Sequence, residues 1–315
     1  MTENLFIVAQ QVAILFVLMG FGAIMRRAGF FRENAIDGIV NVLLLVVTPC
    51  LIIDVFQRPF DPSKLQGLGF AFALAVLIHI ALIALVKFVV LHRDGNVRRP
   101  LLLAAVFSNA GFMGIPLEQA VLGDAGVFYG VVYIVVFNLF MWSWGYGVMQ
   151  NSSELGTRHQ ALSFKMWVNP GTVGLALGAP FFFLSVKLPE VIGVPIHHMA
   201  NLNTPLAMIV IGYSLAGARF GKVMRTGALY VATVVRLVAC PLLAIAALYP
   251  FRSSLDRNMM LATVIAASAP VAAMVAMFAA KFGRDVDVAV SVVSGTTLLS
   301  ILTMPVVIAF AMAVL

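Results

Sequence analysis

Apolar residues fall in long runs separated by short polar connections. Ten such runs can be placed, at about 5–25, 35–56, 66–91, 101–122, 126–149, 170–186, 199–217, 226–249, 258–281 and 287–314. A helix needs roughly 20 apolar residues to cross a hydrocarbon core about 30 Å thick. The pattern predicts an all-α polytopic membrane protein with ten transmembrane helices, the sixth being the shortest and containing Pro180. The first run is too long for a signal-peptide core, and Arg26 and Arg27 follow it instead of preceding it, so it is predicted as helix 1.

The fourth run is interrupted. Ser108-Asn109-Ala110-Gly111-Phe112-Met113-Gly114-Ile115-Pro116-Leu117 puts two glycines, a proline and an asparagine inside an apolar segment. Proline removes an amide donor and crowds the carbonyl four residues back, and broken backbone survives in a membrane only where protein or a water-filled cavity covers it. The ninth run has its own break at Ala267-Ser268-Ala269-Pro270-Val271-Ala272-Ala273. At ~1.5 Å of rise per residue, Asn109 and Ser268 lie about 12 Å and about 15 Å from the ends of their runs, so both breaks reach mid-membrane. Two breaks at one depth are expected to cross. Their half-helix N-termini offer free amides and partial positive charge, which suit an anion such as a carboxylate.

Composition fits this picture: 62% of residues are hydrophobic and 10% charged. The net charge of +7 reflects basic residues scattered in short loops, so it speaks for membrane topology and not for a nucleic-acid partner. Of 20 Lys and Arg, 14 fall in the connections after runs 1, 3, 5, 7 and 9, including Arg32, Arg158, Lys165, Arg219, Lys222 and Arg225. Positive charge marks the cytoplasm, so both termini are expected outside a cell (plasma or inner) membrane. Cys50 and Cys240 lie in separate apolar runs and read as core residues, not as a disulfide. His197-His198, in what reads as an outer loop, offers too few ligands for a metal site, and no cofactor motif appears.

The halves of the chain match at similar offsets. Val47-Thr48-Pro49 corresponds to Asn203-Thr204-Pro205, 156 residues on, and Pro116 to Pro270, 154 on. Gly126–Val132 resembles Asp287–Val293, displaced by 161. Five segments separate the equivalents, and five is odd, so the second copy enters from the opposite side. The expected organisation is two inverted five-helix repeats, 1–150 and 166–315, an arrangement found in secondary transporters.

Ionisable residues inside the runs are functional candidates because charge is costly there. His79 and Arg236 are 157 residues apart and so are repeat equivalents. Arg236 keeps its charge under all physiological conditions, and must meet carbonyls, a carboxylate or a bound anion; one use is a permanent stand-in for a coupling cation that holds the crossing together. His79 is either a proton relay or a hydrogen-bonded core residue. Glu118 reads as a cap on the half-helix opening at Pro116, or as a coupling site for a proton or cation. Asn201 and Asn203 sit at the outer end of the seventh run, as substrate donors or loop-end partners.

Several of these residues resemble one family. Asn109 seven residues before Pro116, within Gly-Phe-Met-Gly-Ile-Pro-Leu, is similar to the fourth-helix signature of the auxin efflux carrier family. Ser268-Ala269-Pro270 followed by Lys281-Phe282-Gly283 resembles its ninth helix, and Asn203–Ala216 its seventh. The resemblance implies the fold shared with bile-acid/sodium symporters and sodium/proton antiporters. It implies a scaffold (about 5–56 and 170–217) and a mobile transport core (about 66–149 and 226–314), an elevator mechanism, and a possible homodimer through the scaffold. Family substrates include auxin, malate and malonate. By resemblance, Asn109 and the crossing around Pro116 and Pro270 would meet the substrate carboxylate. The residues themselves add Gly111, Gly114, Ser268 and Asn203 as substrate candidates, and Arg236, His79 and Glu118 as candidates for coupling or charge balance; Arg236 and His79 belong to no motif of the resemblance.

The reading is a secondary transporter of a small organic anion, without an enzymatic role and with H+ or Na+ as the open coupling ion. The alternative is a cation/proton antiporter or sodium-coupled symporter of the same fold, although an antiporter normally wants paired buried carboxylates and only Glu118 is near the crossing. Gly212-Tyr213-Ser214 has a serine-protease look, but no histidine follows it in the chain. A sensor would need a soluble domain to report through, and none is legible.

Overall fold

Three prolines inside apolar segments each follow one widened turn. π-helical turns span Leu43–Val47, Ala110–Gly114 and Val235–Ala239, and Pro49, Pro116 and Pro241 stand two residues beyond them. Because proline cannot donate, the residue before each one donates five residues back: Thr48 to Leu43, Ile115 to Ala110 and Cys240 to Val235. The wider turn admits the ring, so the helix continues through the proline instead of breaking at it.

A computed structural model describes residues 2–30, 33–150, 170–217 and 226–315. Arg32, Arg158, Lys165, Arg219, Lys222 and Arg225, which entered the charge count, lie outside the described residues. The described elements are α1 (Thr2–Arg27), α2 (33–56), α3 (Pro62–Val89), α4 (Gly95–Val106), α5 (110–122), α6 (Asp124–Gln150), α7 (Pro170–Leu184), α8 (Glu190–Ala216), α9 (Gly227–Phe251), α10 (Arg257–Ser268), α11 (Met274–Lys281) and α12 (Val286–Val314). Among the described residues, seven helices are long and apolar enough to cross a membrane: α1, α2, α3, α6, α8, α9 and α12. The fourth and ninth apolar runs are the interrupted pairs α4/α5 and α10/α11, and the sixth is the shorter α7.

Two expectations need correction. The seventh run, placed at 199–217, begins at Glu190, and His197 and His198 are helical, with no loop there. Glu190, Pro195 and the two histidines dilute the apolar signal, and this span has a mean hydropathy of only 1.2. His197 Nδ1 lies 2.9 Å from Asp54 Oδ2 on α2. The second correction concerns the fourth run, whose break falls at Phe107–Asn109, ahead of its glycines and proline, which sit in helical turns.

Packing uses small residues to bring backbones together, as in membrane helix pairs generally. α1 runs along α8, where a Cβ on Gly212 would lie 1.8 Å from the Met19 carbonyl oxygen and one on Gly22 would lie 2.1 Å from that of Ile209. α2 runs along α7, where Gly174 and Gly178 face Ile52. α6 lies against α3, α5 and α10, and α9 against α10 and α4. α12 touches α10, α11 and α4 within this second group, and α1 in the first.

Candidate functional site

The two interruptions meet. Phe107–Asn109 and Pro270–Ala272 are non-helical and run antiparallel, with Ser108 paired to Val271. The Asn109 amide donates to the Pro270 carbonyl at 2.7 Å and the Ala272 amide to the Phe107 carbonyl at 3.0 Å. A third amide, that of Val271, donates to Thr296 Oγ1 of α12 at 3.1 Å. Non-helical backbone in an apolar interior has to satisfy its polar groups locally, and here each break does so mainly through the other. The crossing expected from matched depth is thus present, and it is a small β-bridge rather than two bare kinks.

Four half-helix ends surround that bridge. α4 and α10 finish at it with their carbonyl ends, while α5 and α11 start from it with their amide ends. Arg236 of α9, fully buried, serves the carbonyl ends: Nη1 donates to the Val106 carbonyl at 2.7 Å and Nη2 to the Ala267 carbonyl, with Cys240 Sγ alongside. A helix C-terminus carries about −0.5 of an elementary charge, so two of them offset one guanidinium without any carboxylate. Only a planar fork reaches both carbonyls at once. The π-turn at Val235–Ala239 carries Arg236 itself.

The amide ends of α5 and α11 face a cavity of about 310 Å³. Gly111 and Phe112 of α5 and Ala273 and Met274 of α11 line it, together with Ser108 and Asn109 from the break. Helix geometry leaves the first amides of each half-helix without intrahelical acceptors. Thr48, Asn138 and Asn203 add polar groups, and no charged side chain lines the wall among the described residues. Asn203 is buried and its Nδ2 has no partner, whereas the Asn138 amide donates to the Ile134 carbonyl of its own helix at 2.9 Å. The rest of the wall is apolar and includes Phe137, Trp142 and Met277, so the cavity runs from the crossing toward the ends of α6 and α11.

Of the residues expected at a substrate site, Asn109, Gly111 and Asn203 share this cavity. Asn203 had been placed at the outer end of its segment; because α8 starts at Glu190, it lies in mid-helix beside the crossing. Gly114, Pro116, Ser268 and Pro270 are buried behind the cavity wall, and the Ser268 hydroxyl donates to the Ile265 carbonyl of its own helix at 2.9 Å. His79 is also buried away from the cavity. Its Nδ1 contacts the Ala75 carbonyl at 2.8 Å and therefore carries the proton, and its ring stacks on Phe140 at 5.2 Å. Glu118 is fully buried, yet neither carboxyl oxygen has a hydrogen-bond partner. It does not cap α5, because the π-turn before Pro116 already occupies the amides such a cap would meet. Thr48, Asn138 and Trp142 were not singled out in the sequence; Thr48 in Thr48-Pro49 was the one legible hint, as the repeat partner of Thr204-Pro205.

A family model described as membrane transport protein matches residues 7–308. A relative from Methanothermobacter thermautotrophicus, described as an uncharacterized transporter, is 26% identical over 305 residues, which cover 94% of this chain and 96% of the relative.

Proposed function

The chain belongs to the membrane transport protein family, that of the auxin efflux carriers, and from that premise we propose that it carries a small organic acid with one carboxylate and an apolar body. The family is one of transporters and not of enzymes, and the Ser214 hydroxyl, once a candidate nucleophile, donates to the Val210 carbonyl of its own helix.

The observation that supports this substrate class is the charge balance of the cavity. Two helix N-termini contribute about +0.5 each, matching one carboxylate. Asn109 and the unpartnered Asn203 amide are suited to orient it. A dicarboxylate such as malate or malonate would bring a second charge to a wall without a cationic side chain, and an unpaired buried carboxylate costs several kcal/mol. The remaining wall rewards an apolar or aromatic body at about 25 cal/mol per Å² removed from water.

The same reading takes the fold as ten crossings in two inverted repeats, with both termini outside the cell membrane. The scaffold is α1, α2, α7 and α8, whose mutual packing supports the division; the crossing and its neighbours form the moving core. Substrate moves with that core past the scaffold.

Direct binding to the purified protein tests the substrate class. Phenylacetate and indole-3-acetate are expected to bind at least about tenfold more tightly than malate or malonate, a difference of ~1.4 kcal/mol. Tighter binding of the dicarboxylates would overturn it. Counterflow of the preferred acid in proteoliposomes then tests carriage.

A further inference from the structure

We propose that Glu118 is a proton-binding site, and that its proton makes the carrier an H+/monocarboxylate symporter. This rests on the carrier reading above. The carboxyl is fully buried with both oxygens unpartnered. It occupies a slot that Gly130 of α6 creates, where a Cβ would lie 1.7 Å from Oε2; Gly114 lies alongside, its Cβ position in ordinary contact at 3.9 Å from Oε1. Helical side chains lean toward the N-terminus, and here the lean brings the carboxyl back to the level of Gly114. Gly111, in the cavity wall, is three residues or ~4.5 Å of axis away.

No neighbouring group explains a charged carboxylate there. Among the described side chains, the titratable or charged groups on the elements packed against α5 are Asp124, Tyr129, Tyr133 and Tyr146 on α6, Arg257 on α10, Arg26 and Arg27 on α1, and Glu190, His197, His198 and Tyr213 on α8. None bonds to Glu118. Asp124 Oδ1 accepts from Gln119, Tyr129 donates to Asp256, Arg257 donates to the Met312 carbonyl, and Arg26 donates to the Tyr213 carbonyl. Hard metal cations take six or more oxygens, and no group of three potential metal-binding side chains exists among the described residues. A proton needs one oxygen. An unpartnered buried carboxyl suits that ligand.

Coupling follows from the shared helix end. A substrate carboxylate at the first amides of α5 and a carboxylate at Glu118 would both draw on the same positive pole, and like charges at one site oppose each other. Substrate therefore binds with Glu118 protonated, and by linkage substrate favours the proton equally. The step is a proton transfer alone: an Oε–H bond forms with water as donor on one side of the membrane and breaks to water on the other. One proton and one monocarboxylate move together without net charge.

The test is proton uptake on phenylacetate binding, measured by calorimetry of the full chain in buffers of different ionisation enthalpy. The parent is expected to take up about one proton per phenylacetate above the titration point, its affinity falling about tenfold per pH unit. Glu118→Gln is expected to bind phenylacetate with no proton uptake and no such pH dependence. If Glu118→Gln keeps the parent's proton uptake, or the parent takes up none across the pH range, the proposal is overturned. Labelling of the parent by dicyclohexylcarbodiimide, which attacks protonated buried carboxyls, provides a readout independent of the variant's folding and of the substrate. Modification of Glu118 that increases as pH falls supports the proton site; absence of modification overturns it. Labelling without any phenylacetate binding would retain the proton site and remove the substrate reading.

Discussion

At the scale of single residues, the molecule sorts charge by helix end. Arg236 takes the two carbonyl ends of the crossing, which leaves the two amide ends free for an anion. Arg236→Met orphans two buried carbonyls and should cost on the order of 3 kcal/mol, read as a lower unfolding midpoint in detergent. Arg236→Lys keeps the charge but reaches one carbonyl at a time, so its loss should be about half as large. Equal midpoints for the two variants would show that the fork geometry is irrelevant. On the amide side, Asn203→Asp is nearly isosteric and places a negative charge in the cavity wall. It should weaken phenylacetate binding by about tenfold or more (~1.4 kcal/mol), and because the new carboxylate is buried and unpaired it should also lower the unfolding midpoint. Asn109 and Arg236 were legible in the sequence because polar residues are rare in apolar runs. That Glu118 is not a cap was not legible, since it depends on which amides the π-turn occupies.

At the scale of elements, proline and glycine act differently from what their propensities suggest. The sequence pointed to the fourth segment because Gly111, Gly114 and Pro116 look like breakers, yet all three are helical and the break is the unremarkable Phe107-Ser108-Asn109. What keeps those residues out of helical turns is their pairing with Pro270–Ala272, a contact between positions far apart in sequence that no local pattern encodes. Most segment boundaries were legible, because hydropathy is a local property; α3 and α4 were started a turn or more too late, at polar openings such as Gly95-Asn96-Val97-Arg98-Arg99, and α8 later still, where Pro195 and two histidines interrupt the pattern. Glycine's role is close approach. Gly212→Leu should force α8 away from the Met19 carbonyl and lower the unfolding midpoint, whereas Gly20→Leu on α1, with open space around its Cβ position, should not. Matching midpoints for the two would dismiss the α1–α8 contact as a stabilising seam.

At the scale of the whole molecule, an aromatic cluster lies about one turn beyond the cavity-lining residues Ile52 of α2 and Val131 of α6. Phe56 of α2, Phe182 of α7 and Phe128 of α6 pack together, with ring centroids 4.8 Å apart for Phe56–Phe128 and 5.3 Å for Phe128–Phe182. Arg58, just past α2, closes the seam: its guanidinium lies 4.5 Å from the Phe128 ring centroid and donates to the Asp124 carbonyl at 3.2 Å. This is a contact between α2 and α7, proposed above as scaffold, and α6, proposed as part of the core, at the end opposite Met277 and Lys281. If the core slides past the scaffold, the contact has to break on each cycle, so it biases the carrier toward the state described here. A cation over an aromatic ring is worth roughly 0.5–2 kcal/mol. Arg58→Ala should therefore shift the balance between states by about twofold to thirtyfold toward the one open at the aromatic end. Met277→Cys reports this shift, because Met277 lines the cavity near its other end. A membrane-impermeant thiol reagent applied from the Lys281 side should label Met277→Cys rapidly in the parent background and several-fold more slowly with Arg58→Ala added. Unchanged labelling would mean that the aromatic end is a fixed seal, and that the core reaches its second state without parting from α2.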